Sequence, residues 1–309
     1  MSQTEPNACF NGQILPLNEI SISPSDRGFL YGDSLFETVR VHAGKPFRWE
    51  QHMARLSSGA DIIDLRLPFS AHEFLSQTER LIQLSANANC ILRLAVSRGA
   101  CERGYGFTGD EHPNSLIAIN PLPKQNSRPL SLVSTDARVA KDDPLARIKS
   151  GNKLDSILAK RLAKQNGADD GLILNSDGNI TETSSANVFW TRDGILRTPP
   201  VTDGVLPGVT RELVIDLAAA HGQVVREESV SPSELQQAEV VFATNAASGI
   251  RAVGQVDGVA LPGHPLVEQL VEAYDAELAR HAARAGALCA RPRVQLYAVS
   301  YTHLRAHET

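Results

Sequence analysis

Near its middle the chain runs through "NPLPKQNSRPLSL", where three prolines and a cluster of Asn, Ser and basic residues interrupt an otherwise regular alternation of apolar runs. Proline has no N–H for a ladder or helix bond, so no strand or helix passes through such a stretch unbroken. The chain must therefore fold as two units, with residues 1–122 before the break, a linker over 123–130 and residues 131–298 after it. A length of 309 residues with 42% hydrophobic content gives each unit enough apolar side chain for a core of its own.

Both halves mix strands with helices. "FNGQILPL" and "FETVRVHAGKPFRW" read as strands, the latter folded into a hairpin at Ala43-Gly44. Met53, Leu56, Ala60 and Ile63 in "WEQHMARLSSGADII" recur at helical spacing, "AHEFLSQTERLIQLS" repeats that period, and "NCILRLAVSRG" is a buried strand. After the linker come a strand over 130–135, a helix carrying Leu154, Ile157, Leu158 and Leu162, and strands broken by Asp177-Gly178 and Asp193-Gly194 turns. "LPGVTRELVIDLAAAHG" is the clearest later helix. The fold class is α+β in the first half and α/β in the second.

A net charge of -5 without any basic run gives no surface for nucleic acid or an anionic membrane, so the expected partners are small molecules. No window approaches the ~18 apolar residues of a membrane span, and the start lacks a secretory pattern, which predicts a cytoplasmic protein. Cys9, Cys90, Cys101 and Cys289 lie far apart without metal-ligand spacing, and are expected to be free thiols with no metal site. The segment Val299 to Thr309, "VSYTHLRAHET", reads as a translated sequencing adapter on a gene from an assembled environmental read, and is set aside from the fold.

Two lysines stand four residues apart in "ARIKSGNKLDS". Asn152 is a good N-cap for the helix after it, which makes Lys153 its exposed first residue. Lys149 follows Ile148 in an extended segment where its side chain can enter a cleft. A reactive amine needs the partial desolvation that lowers its pKa, and only Lys149 is placed to get it. Spacing alone leaves open that both are surface lysines.

"DRGFLYGDSLFETVRV", "HMARL", "IKSGNKL", "ITETSSANVFW" and "LPGVTREL" occur in an order and at separations that resemble the class IV aminotransferases. These are the fold-type IV pyridoxal phosphate enzymes, and the resemblance runs from about Asn11 to Asp257. The family holds branched-chain and D-amino-acid aminotransferases, (R)-amine transaminases and 4-amino-4-deoxychorismate lyase. It implies two domains with pyridoxal 5'-phosphate at their interface, in a homodimer whose partner loop completes the pocket.

By that resemblance Lys149 carries the cofactor as a Schiff base, and Lys153 approaches the cofactor's edge without being catalytic. Arg55 matches the arginine that holds the cofactor phosphate, a task suited to a guanidinium fork. Pro207-Gly208 before a helix leaves the N–H groups of Val209 and Thr210 free for the same anion. Glu182 matches the carboxylate that keeps the pyridine nitrogen protonated, so that the ring accepts electrons from the substrate. Where many transaminases offer a phosphate-binding hydroxyl, this chain has Asn245-Ala246, whose backbone amides could serve with Thr244 beside them.

On the substrate side Thr38 matches a threonine of the lyases that assists proton movement, and Phe36 replaces a tyrosine common in D-amino-acid enzymes. Arg93 matches a basic residue of the lyases and has a counterpart in branched-chain enzymes, and Arg103 and Tyr105 fall in a lyase-like "RGY" although Arg103 also matches the carboxylate-binding arginine of D-amino-acid aminotransferases. The plainer reading of Arg93 is a strand residue paired with Glu37 or Glu50. Two arginines suit a substrate with two carboxylates, so the expected reaction is pyruvate elimination from 4-amino-4-deoxychorismate to give 4-aminobenzoate. The alternatives are a transaminase for D-amino acids, branched-chain amino acids or (R)-amines with a keto-acid acceptor, and a vitamin B6 carrier without chemistry.

Overall fold

A computed structural model describes residues 7–124 and 128–289. Part of the linker, the tail 299–309 and the side chain of Cys289 lie outside the described residues; Cys9, Cys90 and Cys101 are free thiols. The first half forms an antiparallel six-stranded sheet from β1 (Asn7–Phe10), β2 (Gln13–Pro16), β3 (Ser34–His42), β4 (Lys45–Pro46), β5 (Cys90–Ser97) and β6 (Asn114–Pro121). Its order is β2-β1-β6-β5-β3-β4. The short helix α1 (Arg27–Tyr31) precedes β3, while α2 (Trp49–Ile62) and α3 (Ala71–Ser85) pack on one face.

The pleat of β3 sends alternate side chains to two different places. Leu35, Val39 and Val41 point into the core made with Met53, Leu56, Phe74, Leu81, Leu92 and Leu94. Phe36 and Thr38, offset by one residue, look out of the opposite face toward the second half of the molecule. Helix α3 is started by a capping box in which Ser70 and Glu73 satisfy each other's backbone N–H groups. The first hairpin turns at Asn11 and Gly12, both at positive φ (48° and 82°), the geometry a two-residue turn between twisted strands needs.

The second half is a nine-stranded sheet of β7 (Leu130–Val139), β8 (Asp170–Asn175), β9 (Ile180–Thr183), β10 (Asn187–Arg192), β11 (Ile195–Thr198), β12 (Val225–Glu227), β13 (Val240–Asn245), β14 (Gly249–Val256) and β15 (Val259–Ala260). A pairing of β9 with β10 at Glu182 and Asn187 closes the path β10-β13-β14-β7-β8-β9 into a barrel. Leu132, Leu172, Ile180, Val188, Trp190, Val241 and Val253 form one buried cluster. Helices α4 (Leu154–Gln165), α5 (Val209–Ala220), α6 (Pro232–Leu235) and α7 (Pro265–Cys289) surround it. Helices α5 and α7 cover Phe189 and Phe242, whose rings stack at 5.0 Å. Among the described residues no helix is long and apolar enough to cross a membrane.

The start of α4 differs from the sequence expectation. Lys153, not Asn152, is the N-cap, with no side-chain cap bond, and the helix begins at Leu154. Asn152 is engaged elsewhere, its Nδ2 donating to the Gly32 carbonyl at 3.4 Å. The periodic leucines also do not face the core: α4 buries the small Ala159 and Ala163 against the sheet and leaves Leu154, Ile157 and Leu158 exposed.

Candidate active site

The two sheets meet where the lysine segment is pinned to β3. Leu35 and Ser150 form an antiparallel bridge, the Phe36 N–H donates to the Lys149 carbonyl at 2.9 Å, and the Gly151 N–H donates to the Ser34 carbonyl at 2.8 Å. Ile148 fills the first-half core while Lys149, the next residue, turns into a cavity of about 450 Å³ between the sheets. That volume suits a small cofactor with its substrate. The Lys149 ammonium lies 4.7 Å from the Phe36 ring centroid. Burial first, then the Arg55 charge, brings its pKa down to about 8, against the opposing pull of Glu37 and Glu182.

Behind the lysine lies a charge network that the sequence reading missed. Glu37, on the inward face of β3, is fully buried and accepts from Arg55 Nε at 2.8 Å and Nη2 at 2.6 Å, with His52 Nδ1 at 2.7 Å. Burial alone would raise this carboxyl, but the Arg55 guanidinium and then His52 overrule it and hold it near 2. His52 is itself lowered, chiefly by burial, so at neutral pH it is uncharged. The signal was present: an acid between Leu35 and Val39 occupies a core position, and such a group survives only with a partner. This network also overturns the plainer reading of Arg93, because Glu37 belongs to Arg55 while the Arg93 guanidinium stacks on Phe36 at 3.8 Å.

Arg55 reaches across the cavity, with Nη1 donating to the Pro207 carbonyl at 3.0 Å. There α5 starts at Gly208, without a side-chain cap, so the N–H groups of Val209 and Thr210 open onto the cavity wall. A Cβ at Gly208 would collide with Asn187 Oδ1 and force that side chain to move. Facing this helix end, Thr244 is buried and lines the cavity, and among the described residues its Oγ1 has no hydrogen-bond partner. A buried hydroxyl without a partner marks a place prepared for a polar ligand group. Asn245 and Ala246 line the same wall, but the Asn245 side chain is spent on its own turn, accepting from the N–H of Ala247 (3.1 Å) and Ser248 (2.7 Å). Helix amides, Arg55 and the Thr244 hydroxyl together fit a phosphate.

On the opposite wall Glu182 sits at the closing pair of the barrel, with Asn187 Nδ2 donating to its Oε2 at 3.2 Å. The same Nδ2 donates to the Leu206 carbonyl at 2.9 Å, which ties β10 to the loop before α5. Burial lifts Glu182 to about 6, with Lys153 and Lys149 acting against the rise. A carboxylate poised in this way can hold a proton on a ring nitrogen. An amine for an aldehyde, a carboxylate for a ring nitrogen and an anion cup thus share one cavity, and these residues fit pyridoxal 5'-phosphate.

Thr38, Phe36 and Arg93 complete the wall, with Thr38 directly opposite Arg93 in the β3–β5 register. Lys153 lines the cavity too, half-buried rather than exposed as the sequence suggested. Arg103 and Tyr105 are not brought there. They lie on an exposed loop whose backbone is clamped by Arg27, which donates to the carbonyls of Gly104 (2.8 Å), Tyr105 (3.1 Å) and Gly106 (3.1 Å). A second hollow of about 490 Å³, walled by Phe10, Ile22, Phe29 and Leu116, has Asp26 as its one charged residue. Among the described residues no group of three His, Cys, Asp or Glu side chains could hold a metal.

Residues 34–256 match the family model for amino-transferase class IV. The chain is 30% identical to the D-alanine aminotransferase of Bacillus licheniformis over 253 residues, covering 81% of this chain and 88% of that one. It is also 30% identical to the aminodeoxychorismate lyase of Bacillus subtilis (strain 168), over 76% of this chain and 81% of the relative. Among solved structures it superimposes with a TM-score of 0.82 on the branched-chain amino acid aminotransferase from Escherichia coli, at 28% identity over 88% of this chain and 94% of that one. A matched span that holds both walls of the cavity, together with a cavity built for pyridoxal 5'-phosphate, means that the chain belongs to the class IV aminotransferase family of enzymes.

Proposed function

We propose that the chain eliminates pyruvate from 4-amino-4-deoxychorismate to leave 4-aminobenzoate. The observation that carries this reading is the pairing of Thr38 with Arg93 on the cavity wall beside Lys149, with the Arg93 guanidinium laid on Phe36 and, among the described residues, claimed by no acid. Bound pyridoxal 5'-phosphate supplies an electron-withdrawing ring that stabilises negative charge formed next to the substrate amine. With the cofactor bound, Lys149 would be the general base that takes the proton from the ring carbon bearing the nitrogen. The Thr38 hydroxyl relays a proton toward the departing enolpyruvate, and Arg93 holds a carboxylate in place while Phe36 packs against the ring.

Glu182 would keep a proton on the pyridine nitrogen; Arg55, Thr244, Asn245, Ala246 and the amides of Val209 and Thr210 would hold the phosphate. The molecule divides into domains 1–122 and 131–298 joined by 123–130, and it works as a homodimer in which Arg103 and Tyr105 reach the partner's cavity. A transaminase is the second reading, favoured by the D-alanine aminotransferase relative and by a lysine and carboxylate that serve either route.

The test is a half-reaction. Cofactor-loaded protein is mixed, without keto acid, with D-alanine, D-glutamate, L-leucine, L-glutamate or (R)-1-phenylethylamine, and its visible absorbance is followed. The lyase reading expects no stoichiometric conversion to pyridoxamine phosphate, and pyruvate release from 4-amino-4-deoxychorismate in a coupled assay. Rapid stoichiometric conversion by one amine, with no pyruvate release, assigns the chain to the transaminases.

A further inference from the structure

Two of the cations on the cavity wall make no hydrogen bond or ion pair among the described residues. The wall includes the cations Arg55, Arg93, Lys149 and Lys153, and among the described residues Glu182 is the one acid lining it. Arg55 is tied to Glu37 in a two-point ion pair and faces the phosphate cup, and Lys149 would be taken by the cofactor. Glu182 is committed to the pyridine nitrogen. Lys153 and Arg93 are left over, and among the described residues neither side chain has a hydrogen bond or ion pair; Arg93 has only its contact with the Phe36 face.

Arg93 is exposed and Lys153 half-buried, and both line the cavity. Burial depresses the pKa of both, and for Lys153 the Arg93 and Arg55 charges depress it further, with Glu182 the strongest opposing group. Two like charges on one cavity wall repel, and an anion held by both relieves that repulsion. The two also divide the work sensibly. Arg93 stands in the β5 register opposite Thr38 and presents a flat fork, whereas Lys153 enters from the start of α4 as a compact charge on a long stem.

We propose that Lys153, acting with Arg93, is the receptor for a second carboxylate on the substrate, so that the enzyme selects amines carrying two acid groups. This rests on the proposed function, in which Lys149 and Glu182 are taken by the cofactor. It gives a cation from the same chain the specificity task that the exposed Arg103 would otherwise carry alone. Lys153 does no proton transfer; it sets which substrates stay long enough to react.

Cofactor-loaded protein is titrated with the inert pairs glutarate against butyrate and isophthalate against benzoate, and each dissociation constant is read from the shift in cofactor absorbance or by calorimetry. The expected result is tighter binding of each diacid by the unchanged protein, by about tenfold or more, as a charge-assisted contact supplies. Lys153→Met should erase that preference while leaving monoacid affinity as it was, and Lys153→Arg should restore most of it. Equal weakening of monoacid and diacid by Lys153→Met, or no change in either, overturns the assignment. An unchanged protein that forms no Lys149-dependent absorbance overturns the underlying reading first, and the inference with it.

Discussion

At the scale of single residues, Thr244 and Glu37 give opposite predictions from the same physics. A buried hydroxyl without a partner costs the apo protein about 1–3 kcal/mol, so Thr244→Val should leave its stability unchanged or higher. The same change removes a charge-assisted bond to the phosphate, and the dissociation constant for pyridoxal 5'-phosphate should rise about tenfold in a fluorescence titration. Glu37→Gln instead strands Arg55 in a buried setting, and should lower stability at pH 7 by roughly 3–5 kcal/mol in urea unfolding. The Glu37 carboxyl lies near 2 in the fold against 4.5 ordinarily, so its contribution is complete above about 4.5 and is lost as pH falls toward 2. The difference between the two proteins should therefore narrow in acid. Cofactor capture by the apo protein should show its own pH limits. Lys149 must be neutral to attack, so the rate should climb as pH rises through about 8, well below an ordinary lysine, and Glu182 must be ionised, so uptake should fall below about 6. Stopped-flow absorbance reads both limits; a midpoint near 10 would remove Lys149 from the cavity.

At the scale of elements, the site depends on chain crossings that hold side chains which no single segment could place. The α5 start works as an anion cup because Gly208 lets Asn187 pass close to it, and Asn187 in turn holds Glu182 and the Leu206 carbonyl. Gly208→Ala should push Asn187 away and weaken cofactor binding more than it weakens the fold, visible as a larger shift in the cofactor titration than in the apo melting temperature. Elements carried by local periodicity were legible in the sequence: the α2 stripe of Met53, Leu56 and Ala60, the Ala43-Gly44 hairpin and the α5 start all follow from spacing and turn chemistry. The α4 start was not, because Asn152 answers to Gly32, 120 residues earlier, and a cap preference cannot anticipate a rival that distant. The Glu37–His52–Arg55 network was half legible. An acid at a core position announces a buried partner, but which base takes it depends on how α2 lies across β3.

At the scale of the whole molecule, the surface carries apolar side chains that one chain leaves uncovered. Phe29 (76% exposed), Tyr105 (85%) and Leu154 (74%) are linked to one region by the Gly32–Asn152 contact and by the Tyr31–Tyr105 ring pair at 5.4 Å. A two-fold dimer would cover such a patch with its own copy and bring the Arg27-clamped loop against the partner. Sedimentation should then give twice the chain mass, and Phe29→Asp combined with Leu154→Lys should give the monomer. That monomer should still take up cofactor, since Lys149, Arg55, Glu182 and Thr244 all come from one chain, but should lose turnover if Arg103 acts across the interface. A mixing experiment separates a shared site from mere loss of stability. Lys149→Ala removes the base and Arg103→Ala removes the loop arginine, so each homodimer is inactive. A heterodimer of the two rebuilds one complete site, with Lys149 from one chain and Arg103 from the other. Subunit exchange to the statistical mixture should restore about a quarter of the original activity, because half the dimers are mixed and each has one good site of two. Recovery near that level requires the loop of one chain to act in the cavity of its partner, whereas no recovery from freely exchanging dimers confines the chemistry to residues of a single chain.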